Sequence, residues 1–259
     1  MSGSELSKRA GSAAEAVADI CDGATIAVGG FGLSGIPTVL IEAVLEREVG
    51  GFSVVSNNCG LDDAGIGLWL SAGKIARITA SYVGENDTFE RQYLSGELHV
   101  ELTPQGTLAE KLRAGGSGIP AFYTPAGVGT LVADGGLPWR YAADGSVAVA
   151  SPAKEVRVFN GKEYVLEESI TTDFALVRAR QVDALGNCVF HAAARNFNVP
   201  AAMAGRITIV EAEEFVAAGQ IAPDDIHLPG IFVSRVVALT TEQASRKRIE
   251  RLTVRRKEA

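Results

Sequence analysis

The sequence has few of the residues from which metal centres and disulfide frameworks are built. It contains three cysteines and three histidines among its 259 residues, and none of them stands in a zinc-binding spacing. The cysteines, Cys21, Cys59 and Cys188, lie far apart in the chain and are odd in number. We therefore expect neither a bound metal nor a set of disulfide bonds.

An excess of positive charge and long apolar stretches are missing as well. The net charge is −7, so a general electrostatic attraction to nucleic acid is excluded. No segment has the roughly 18 consecutive apolar residues of a transmembrane helix, and the N-terminus lacks the apolar stretch of a signal peptide. We expect a soluble, cytoplasmic protein that binds neither nucleic acid nor a membrane.

What the sequence does have is a regular alternation of strand-like and helix-like segments. Hydrophobic residues make up 47% of the chain, which is enough for a large core. Strands are predicted at Thr25–Val28, Phe52–Ser56, Arg77–Tyr82, His99–Leu102 and Ala121–Tyr123, with a helix between each pair. This rhythm predicts an α/β fold with an open, mostly parallel sheet flanked by helices.

The pattern changes around residues 124–170, where glycine and proline turns predict a looser, β-rich insertion. The alternation then returns, with strands predicted at Phe174–Arg178, Cys188–His191 and Ile207–Glu211. We divide the chain into one domain, residues 1–245, and a basic C-terminal tail, residues 246–259, which we expect to be solvated.

A glycine-rich loop, residues 29–35, follows the first predicted strand and precedes a helix that begins near Pro37. Glycine lets the backbone approach a ligand closely, and a helix N-terminus attracts negative charge. The loop predicts a site for an anionic or phosphate-bearing ligand, with a purely structural turn as the alternative. It lacks the Lys-Ser/Thr of a P-loop. Binding of NAD is disfavoured because Asn57, and not an acidic residue, follows the second strand.

Side-chain amides follow the next three predicted strands. Asn57 and Asn58 come after the second strand, Asn86 after the third and Gln105 after the fourth. Because ligands of open α/β sheets bind beyond the carboxyl ends of the strands, we expect these amides to converge on one site. Neutral N–H donors suit a carbonyl oxygen on which negative charge develops.

No obvious nucleophile accompanies these donors. The sequence has no G-x-S-x-G elbow and no Ser-His-Asp arrangement. Cys59 has no histidine near it in the sequence, so a small buried residue is the favoured interpretation. Glu85 is the only carboxylate in these loops, and we assign it a structural or hydrogen-bonding role rather than that of a base. The chain therefore looks like half of an active site, with the reactive group supplied elsewhere.

Sequence blocks along nearly the whole chain resemble those of the family I coenzyme A transferases, and in particular of their A (alpha) subunits. The blocks are Val28-Gly-Gly-Phe-Gly32, Ser56-Asn-Asn-Cys-Gly60, Ser81-Tyr-Val-Gly-Glu-Asn86, Phe89-Glu-Arg-Gln-Tyr93, Leu102-Thr-Pro-Gln-Gly-Thr-Leu-Ala-Glu110, Arg113-Ala-Gly-Gly116, Ile119-Pro-Ala-Phe-Tyr-Thr124, Glu155-Val-Arg-Val-Phe-Asn-Gly161, Ala194-Arg-Asn-Phe-Asn198 and Asp225-Ile-His-Leu-Pro-Gly230. One departure is Ser34, which stands where the family often has cysteine; such a small polar exchange should not remove binding.

The resemblance implies that the protein takes part in moving CoA from one carboxylic acid to another. The blocks are most similar to the 3-oxoacid type, which implies transfer from succinyl-CoA to acetoacetate. CoA is then a substrate and not a bound cofactor. The resemblance places the nucleophilic glutamate in a Ser-Glu-Asn-Gly motif of a partner B (beta) subunit, and it implies a heterotetramer of two A and two B chains. No Ser-Glu-Asn-Gly sequence occurs in this chain.

The same resemblance assigns roles to individual residues. Asn57 and Gln105 would line the oxyanion side of the site, and no metal ligand is implied. The residues that would contact CoA are Gly29, Gly30, Phe31, Gly32, Leu33, Ser34 and Gly35. Two alternatives stay open. One is the A chain of a 3-oxoadipate CoA-transferase, which shares these loops. The other is a sugar-phosphate isomerase of the same fold, which would need a lysine that the loops lack.

Overall fold

The structure, a computed structural model, describes residues 7–247. The strands in this range are β1 Thr25–Val28, β2 Phe52–Val55, β3 Ile75–Ala80, β4 His99–Leu102, β5 Ala121–Thr124, β6 Pro138–Tyr141, β7 Val147–Ala150, β8 Val156–Phe159, β9 Lys162–Glu168, β10 Thr172–Asp183, β11 Cys188–Val189, β12 Gly205–Val216 and β13 Arg235–Ala238. The α-helices are α1 Ala13–Ala16, α2 Thr38–Leu45, α3 Gly67–Ser71, α4 Asp87–Leu94, α5 Gln105–Gly116, α6 Leu131–Asp134, α7 Asn198–Ala204 and α8 Thr241–Ser245. A membrane span would need a longer and more apolar helix than any in this range.

Seven strands form one parallel sheet in the order β13-β12-β10-β1-β2-β3-β4. The chain starts near the middle at β1, builds outward to β4, and then crosses to β10 on the other side of β1. This topology confirms the predicted α/β fold with an open, mostly parallel sheet. The reversal of direction on either side of β1 opens a crevice at the carboxyl ends of the strands.

Two of the predicted strands do not continue the parallel sheet. The segment at Ala121–Tyr123 lies in β5, which pairs antiparallel with β9 in the small sheet β5-β9-β8. The segment at Cys188–His191 is a strand only at its start, where β11 pairs antiparallel with β10. The direction of pairing depends on the connections and not on the apolar residues of the strand, so the sequence pattern did not reveal it. The β-rich insertion itself is confirmed, since β6 and β7 form a further antiparallel pair within it.

Both faces of the parallel sheet are buried, because helices pack on each side. In β1, Ile26 and Val28 contribute to one core cluster and Ala27 to the other, as the alternation of side chains along a strand requires. Helices α1 to α4 cover the first face, where the rings of Phe52 and Trp69 have centroids 5.7 Å apart. Helices α5 and α7 cover the second face.

The described residues include only the first two positions of the predicted basic tail. Arg246 pairs with Glu42 at 2.9 Å, and Lys247 pairs with Glu213 at 2.8 Å. Residues 248–259 lie outside the described residues. The division of the chain at residue 245 and the solvation of the tail therefore stay predictions.

A buried carboxylate on β12 connects the two halves of the chain. Oε2 of Glu211 accepts hydrogen bonds from the backbone N–H groups of Val39 (2.8 Å) and Leu40 (3.0 Å) at the start of α2. Its Oε1 accepts from Nη1 of Arg178 at 3.3 Å. Burial raises the pKa of Glu211 from 4.5 to about 7, although Arg178 and the two N–H groups favour the charged form.

We predict that Glu211→Ala lowers the free energy of unfolding by about 3 kcal/mol or more, because two buried N–H groups lose their acceptor and the buried Arg178 guanidinium loses one of its acceptors. Urea unfolding measures this change. The matched control is Glu214→Ala, an exposed glutamate on the same strand, which should cost less than about 1 kcal/mol. Equal losses in the two variants would contradict the prediction.

The raised pKa adds a pH dependence to the same comparison. Between about pH 4.5 and pH 7 the folded protein binds a proton at Glu211 that the unfolded chain has released. The stability that this proton confers is present below pH 4.5 and is lost as the pH rises through 7. The difference in the free energy of unfolding between wild type and Glu211→Ala should therefore be larger at about pH 5 than at about pH 8.

Candidate functional site

A groove of about 580 Å³ lies beyond the carboxyl ends of β1 to β4. The sequence-predicted residues that line it are Phe31, Gly32, Leu33, Asn57, Asn58, Glu85 and Gln105. Gly60, Leu61, Ser81, Tyr82 and Gly84 complete the lining. The structure thus brings residues from four successive strand ends together, as the sequence pattern indicated.

Only the tip of the glycine loop reaches this groove. The Phe31 N–H donates to the Ser34 carbonyl at 3.0 Å, and the Ser34 N–H donates back to the Phe31 carbonyl at 2.9 Å. Gly32 and Leu33 therefore form a two-residue turn that projects into the groove with Phe31. The loop residues that do not line the groove are Gly29, Gly30, Ser34 and Gly35.

The loop has glycines at its two ends because Asn198 packs directly behind it. A Cβ on Gly29 would lie 2.0 Å from Oδ1 of Asn198, so no larger residue fits there. Nδ2 of Asn198 donates to the Gly35 carbonyl at 2.9 Å, and Gly35 has a φ of 68° that favours glycine. These two glycines are therefore required by the packing behind the loop.

The helix after the loop does not offer its N-terminus to a ligand. The Val39 and Leu40 N–H groups at the start of α2 donate to Glu211, so an internal carboxylate already takes the place of an external anion. The expectation that this helix end binds an anion is therefore wrong. Glu211 is 172 residues from Val39 in the sequence, which is why the local pattern did not reveal it.

The amide of Asn57 is the most strongly fixed polar group of the groove. The side chain is only 1% exposed, and its Oδ1 accepts hydrogen bonds from Oγ of Ser81 (2.7 Å) and Nε2 of Gln105 (2.8 Å). Within residues 7–247, the Nδ2 of Asn57 donates to no protein atom. Since Oδ1 is occupied by two donors, Nδ2 is the end of the amide that is available to a ligand.

Gln105 differs from Asn57 in burial and position. It is exposed and is the first residue of α5. One hydrogen of its Nε2 is directed at Asn57, and the second is available to a ligand. The two amides are therefore joined by a hydrogen bond, and each has an N–H group that is available to a ligand in the groove.

The remaining sequence candidates have structural roles or lie at the rim. Oδ1 of Asn86 caps α4 by accepting from the Phe89 N–H at 2.8 Å, so Asn86 is not part of the groove. Oδ1 of Asn58 accepts from the Gly60 N–H at 3.2 Å. Cys59 is fully buried, and burial raises the pKa of its thiol well above the ordinary value, so the thiol stays protonated.

Two groove residues, Ser81 and Tyr82, were missed by the sequence reasoning. They directly follow β3, in the same position relative to the strand as Ser56 and Asn57 relative to β2. That position was the signal that could have identified them. Ser81 contacts Asn57, and the Tyr82 side chain is largely exposed at the rim.

The groove is nearly free of formal charge. Among its described lining residues, only the exposed Glu85 is charged, and no lysine, arginine or histidine is present. Residues 7–247 also contain no group of three His, Cys, Asp or Glu side chains that could hold a metal ion. The groove can therefore stabilise a developing oxyanion through neutral donors, but it holds no base positioned to activate a nucleophile.

A second cavity, of about 610 Å³, lies between the parallel sheet and the insertion. Its two lysines are already paired: Nζ of Lys111 lies 3.1 Å and Nζ of Lys154 lies 2.5 Å from the buried carboxylate of Glu167. We place the candidate site in the groove and not in this cavity, because the groove holds the predicted amides Asn57 and Gln105, whereas the lysines of the cavity are paired with Glu167.

Known proteins with similar sequences and structures agree with this arrangement. Residues 11–239 match the coenzyme A transferase family. A Mycobacterium tuberculosis protein, named as the probable A chain of a succinyl-CoA:3-ketoacid coenzyme A transferase, is 60% identical over 250 residues, which cover 96% of this chain and 100% of that protein. Human mitochondrial succinyl-CoA:3-ketoacid coenzyme A transferase 2 is 55% identical over 94% of this chain and 47% of its own length.

The fold is shared with a solved structure of the same kind. An acyl-CoA transferase of Escherichia coli O157:H7, crystallised as a thioester complex with CoA, superposes with a TM-score of 0.76 at 24% identity. The match covers 91% of this chain and 48% of that one. At 24% identity the superposition supports only the shared fold. The family assignment rests on the sequence matches. The chain belongs to the coenzyme A transferase family.

Proposed function

We propose that this chain is the A (alpha) component of an enzyme that transfers CoA from succinyl-CoA to a 3-oxoacid, with acetoacetate as the acceptor. The observation that carries the proposal is the groove that holds the hydrogen-bonded amides of Asn57 and Gln105, in which the exposed Glu85 is the one carboxylate among the described lining residues. The names of the M. tuberculosis and human relatives support the 3-oxoacid type over 3-oxoadipate. The absence of a lysine among the described groove residues speaks against a sugar-phosphate isomerase.

The proposed reaction needs no water and no redox partner. A glutamate carboxylate of the partner chain attacks the thioester carbonyl of succinyl-CoA, and CoA thiolate leaves as the glutamyl–succinyl anhydride forms. The thiolate then attacks the glutamyl carbonyl, which releases succinate and gives a glutamyl-CoA thioester. Acetoacetate reverses the two steps: its carboxylate displaces the thiolate, and the thiolate takes the acetoacetyl group from the anhydride.

This chain would stabilise the oxyanion that appears in each of these attacks. Nδ2 of Asn57 and the second hydrogen of the Gln105 Nε2 would be the donors to this oxyanion, since both residues line the groove and Oδ1 of Asn57 is taken by Ser81 and Gln105. One such donor is typically worth about 3 kcal/mol in the transition state. A neutral donor also leaves the attacking carboxylate reactive, whereas a lysine or arginine would hold it in an ion pair.

The partner that supplies the carboxylate would be a B (beta) subunit. The human relative is about twice as long as the matched segment, so about half of that protein lies outside the match. Phe31 and Tyr82, 48% and 57% exposed at the rim of the groove, are suited to contact with CoA or with the partner. We further propose an A2B2 heterotetramer, a cytoplasmic location, and CoA contacts through Phe31, Gly32 and Leu33.

The purified chain should have no turnover with succinyl-CoA and acetoacetate, and activity should appear when the B chain is added. The physical reason is that the one carboxylate among the described groove residues, Glu85, is exposed and is assigned a structural or hydrogen-bonding role. Acetoacetyl-CoA formation, measured for each chain alone and for the mixture, tests this. Parallel kinetics with 3-oxoadipate and short-chain fatty acids identify the preferred acceptor. Turnover by this chain alone, at the rate of the mixture, would overturn the proposal.

The covalent intermediate should form on the partner. When the A/B complex is incubated with succinyl-CoA and then with borohydride, the glutamyl thioester is reduced to an alcohol, and the mass of the B chain should change. The mass of this chain should not change. Intact-mass spectrometry of both chains gives the answer, and a modified Glu85 or Cys59 would reverse the assignment.

Removal of either amide should slow the chemical step. We expect Gln105→Ala and Asn57→Ala to lower kcat by roughly 10² to 10³-fold, because each variant loses donors to the oxyanion. KM for succinyl-CoA should change little, since the interaction strengthens only in the transition state. Steady-state kinetics of the complex measure both constants. Gln220→Ala, an exposed glutamine remote from the groove, is the matched control.

The two variants also separate the roles of the amides. If Gln105→Ala keeps a near-normal kcat in a folded complex, Gln105 is a structural residue at the start of α5 and Asn57 is the main donor. If both variants keep a normal kcat, the oxyanion assignment is wrong.

A further inference from the structure

Ser81, a residue with no role in the proposed chemistry so far, contacts the donor amide directly. We propose that Ser81 is a positioning residue, whose hydroxyl group holds the Asn57 side chain so that Nδ2 faces the groove. This inference rests on the proposed function, because it concerns the oxyanion donor of that reaction. The inference goes beyond the proposed function because it names the residue that orients the donor amide.

An asparagine amide can present either its oxygen or its nitrogen to a ligand, and only the nitrogen stabilises an oxyanion. A donor that binds the oxygen favours the useful orientation. Oγ of Ser81 lies 2.7 Å from Oδ1 of Asn57 and 3.1 Å from its backbone carbonyl oxygen. The hydroxyl has one hydrogen, and the shorter contact to Oδ1 is the better hydrogen bond.

Ser81 is better placed for this task than the second donor, Gln105. The Ser81 N–H donates to the Asn57 carbonyl at 3.0 Å, so the alignment of β2 and β3 continues past the strand ends and fixes the hydroxyl beside Asn57. Gln105 is exposed and long, so holding its side chain in one rotamer costs more conformational entropy. The serine therefore provides the rigid contact.

The other side of Asn57 is fixed as well. Oγ of the buried Ser56 donates to the Val28 carbonyl at 2.9 Å, which holds the end of β2 against the end of β1. The backbone of Asn57 thus lies between two anchored strand ends, and the rotation of its side chain is the remaining freedom. The Ser81 hydroxyl restricts that rotation.

The first test is the kinetics of Ser81→Ala in the A/B complex. We expect kcat to fall about tenfold, as for the loss of one net hydrogen bond, with little change in KM for succinyl-CoA. Ser81→Thr keeps the hydroxyl and should restore most of kcat. If the alanine variant does not give a folded complex, Ser81→Cys, which keeps the size but donates weakly, replaces it. Ser95→Ala, an exposed serine at the end of α4, is the control.

The decisive test is a double-mutant cycle with Asn57. If Ser81 acts through Asn57, Ser81→Ala should have no further effect on kcat in the Asn57→Ala background. The same tenfold loss in both backgrounds would overturn the inference, as would a normal kcat for Ser81→Ala in an active complex. An inactive wild-type complex would instead overturn the proposed function, so the two failures are distinguishable.

Discussion

The buried carboxylate of Glu211 is the contact on which much of the structure depends. It joins β12, in the second half of the chain, to the first turn of α2 in the first half. Such a group is costly to bury, and three donors are needed to offset the loss of water. In return, α2 is fixed beside the strand from which the glycine loop leaves, and the loop itself is held from behind by Asn198.

The same contact decides the electrostatics of the site. Because Glu211 neutralises the N-terminus of α2, the glycine loop cannot use that helix to attract an anion. The described groove residues offer amide donors, hydroxyl groups and apolar side chains, and the exposed Glu85 is the one charged residue among them. An enzyme that must bring a reactive carboxylate to a thioester benefits from such neutrality, since a strong positive charge would stabilise the carboxylate before it reacts.

Charges elsewhere in the described chain are largely satisfied among themselves. Glu167 binds two lysines in the cavity below the insertion, and Arg178 binds Glu213 as well as Glu211. The insertion thus closes the second face of the sheet without creating a competing site. The candidate site lies at one edge of the sheet, beyond the carboxyl ends of β1 to β4.

The sequence by itself determined the class of fold, the existence of the insertion and the edge at which the site lies. Each of these follows from local periodicity and from the rule that the ends of parallel strands share one edge. It also predicted that Asn57 and Gln105 lie together, because polar amides directly after buried strands are conspicuous, and the structure has both in the groove. It misjudged the pairing of β5 and β11 and the role of Asn86, which depend on what a segment packs against. Only the tertiary structure could decide that Glu211 occupies the end of α2 and that Ser81 and Gln105 share the oxygen of Asn57. Those contacts join residues 24 to 172 positions apart, and nothing in a local pattern encodes a distance across the sheet.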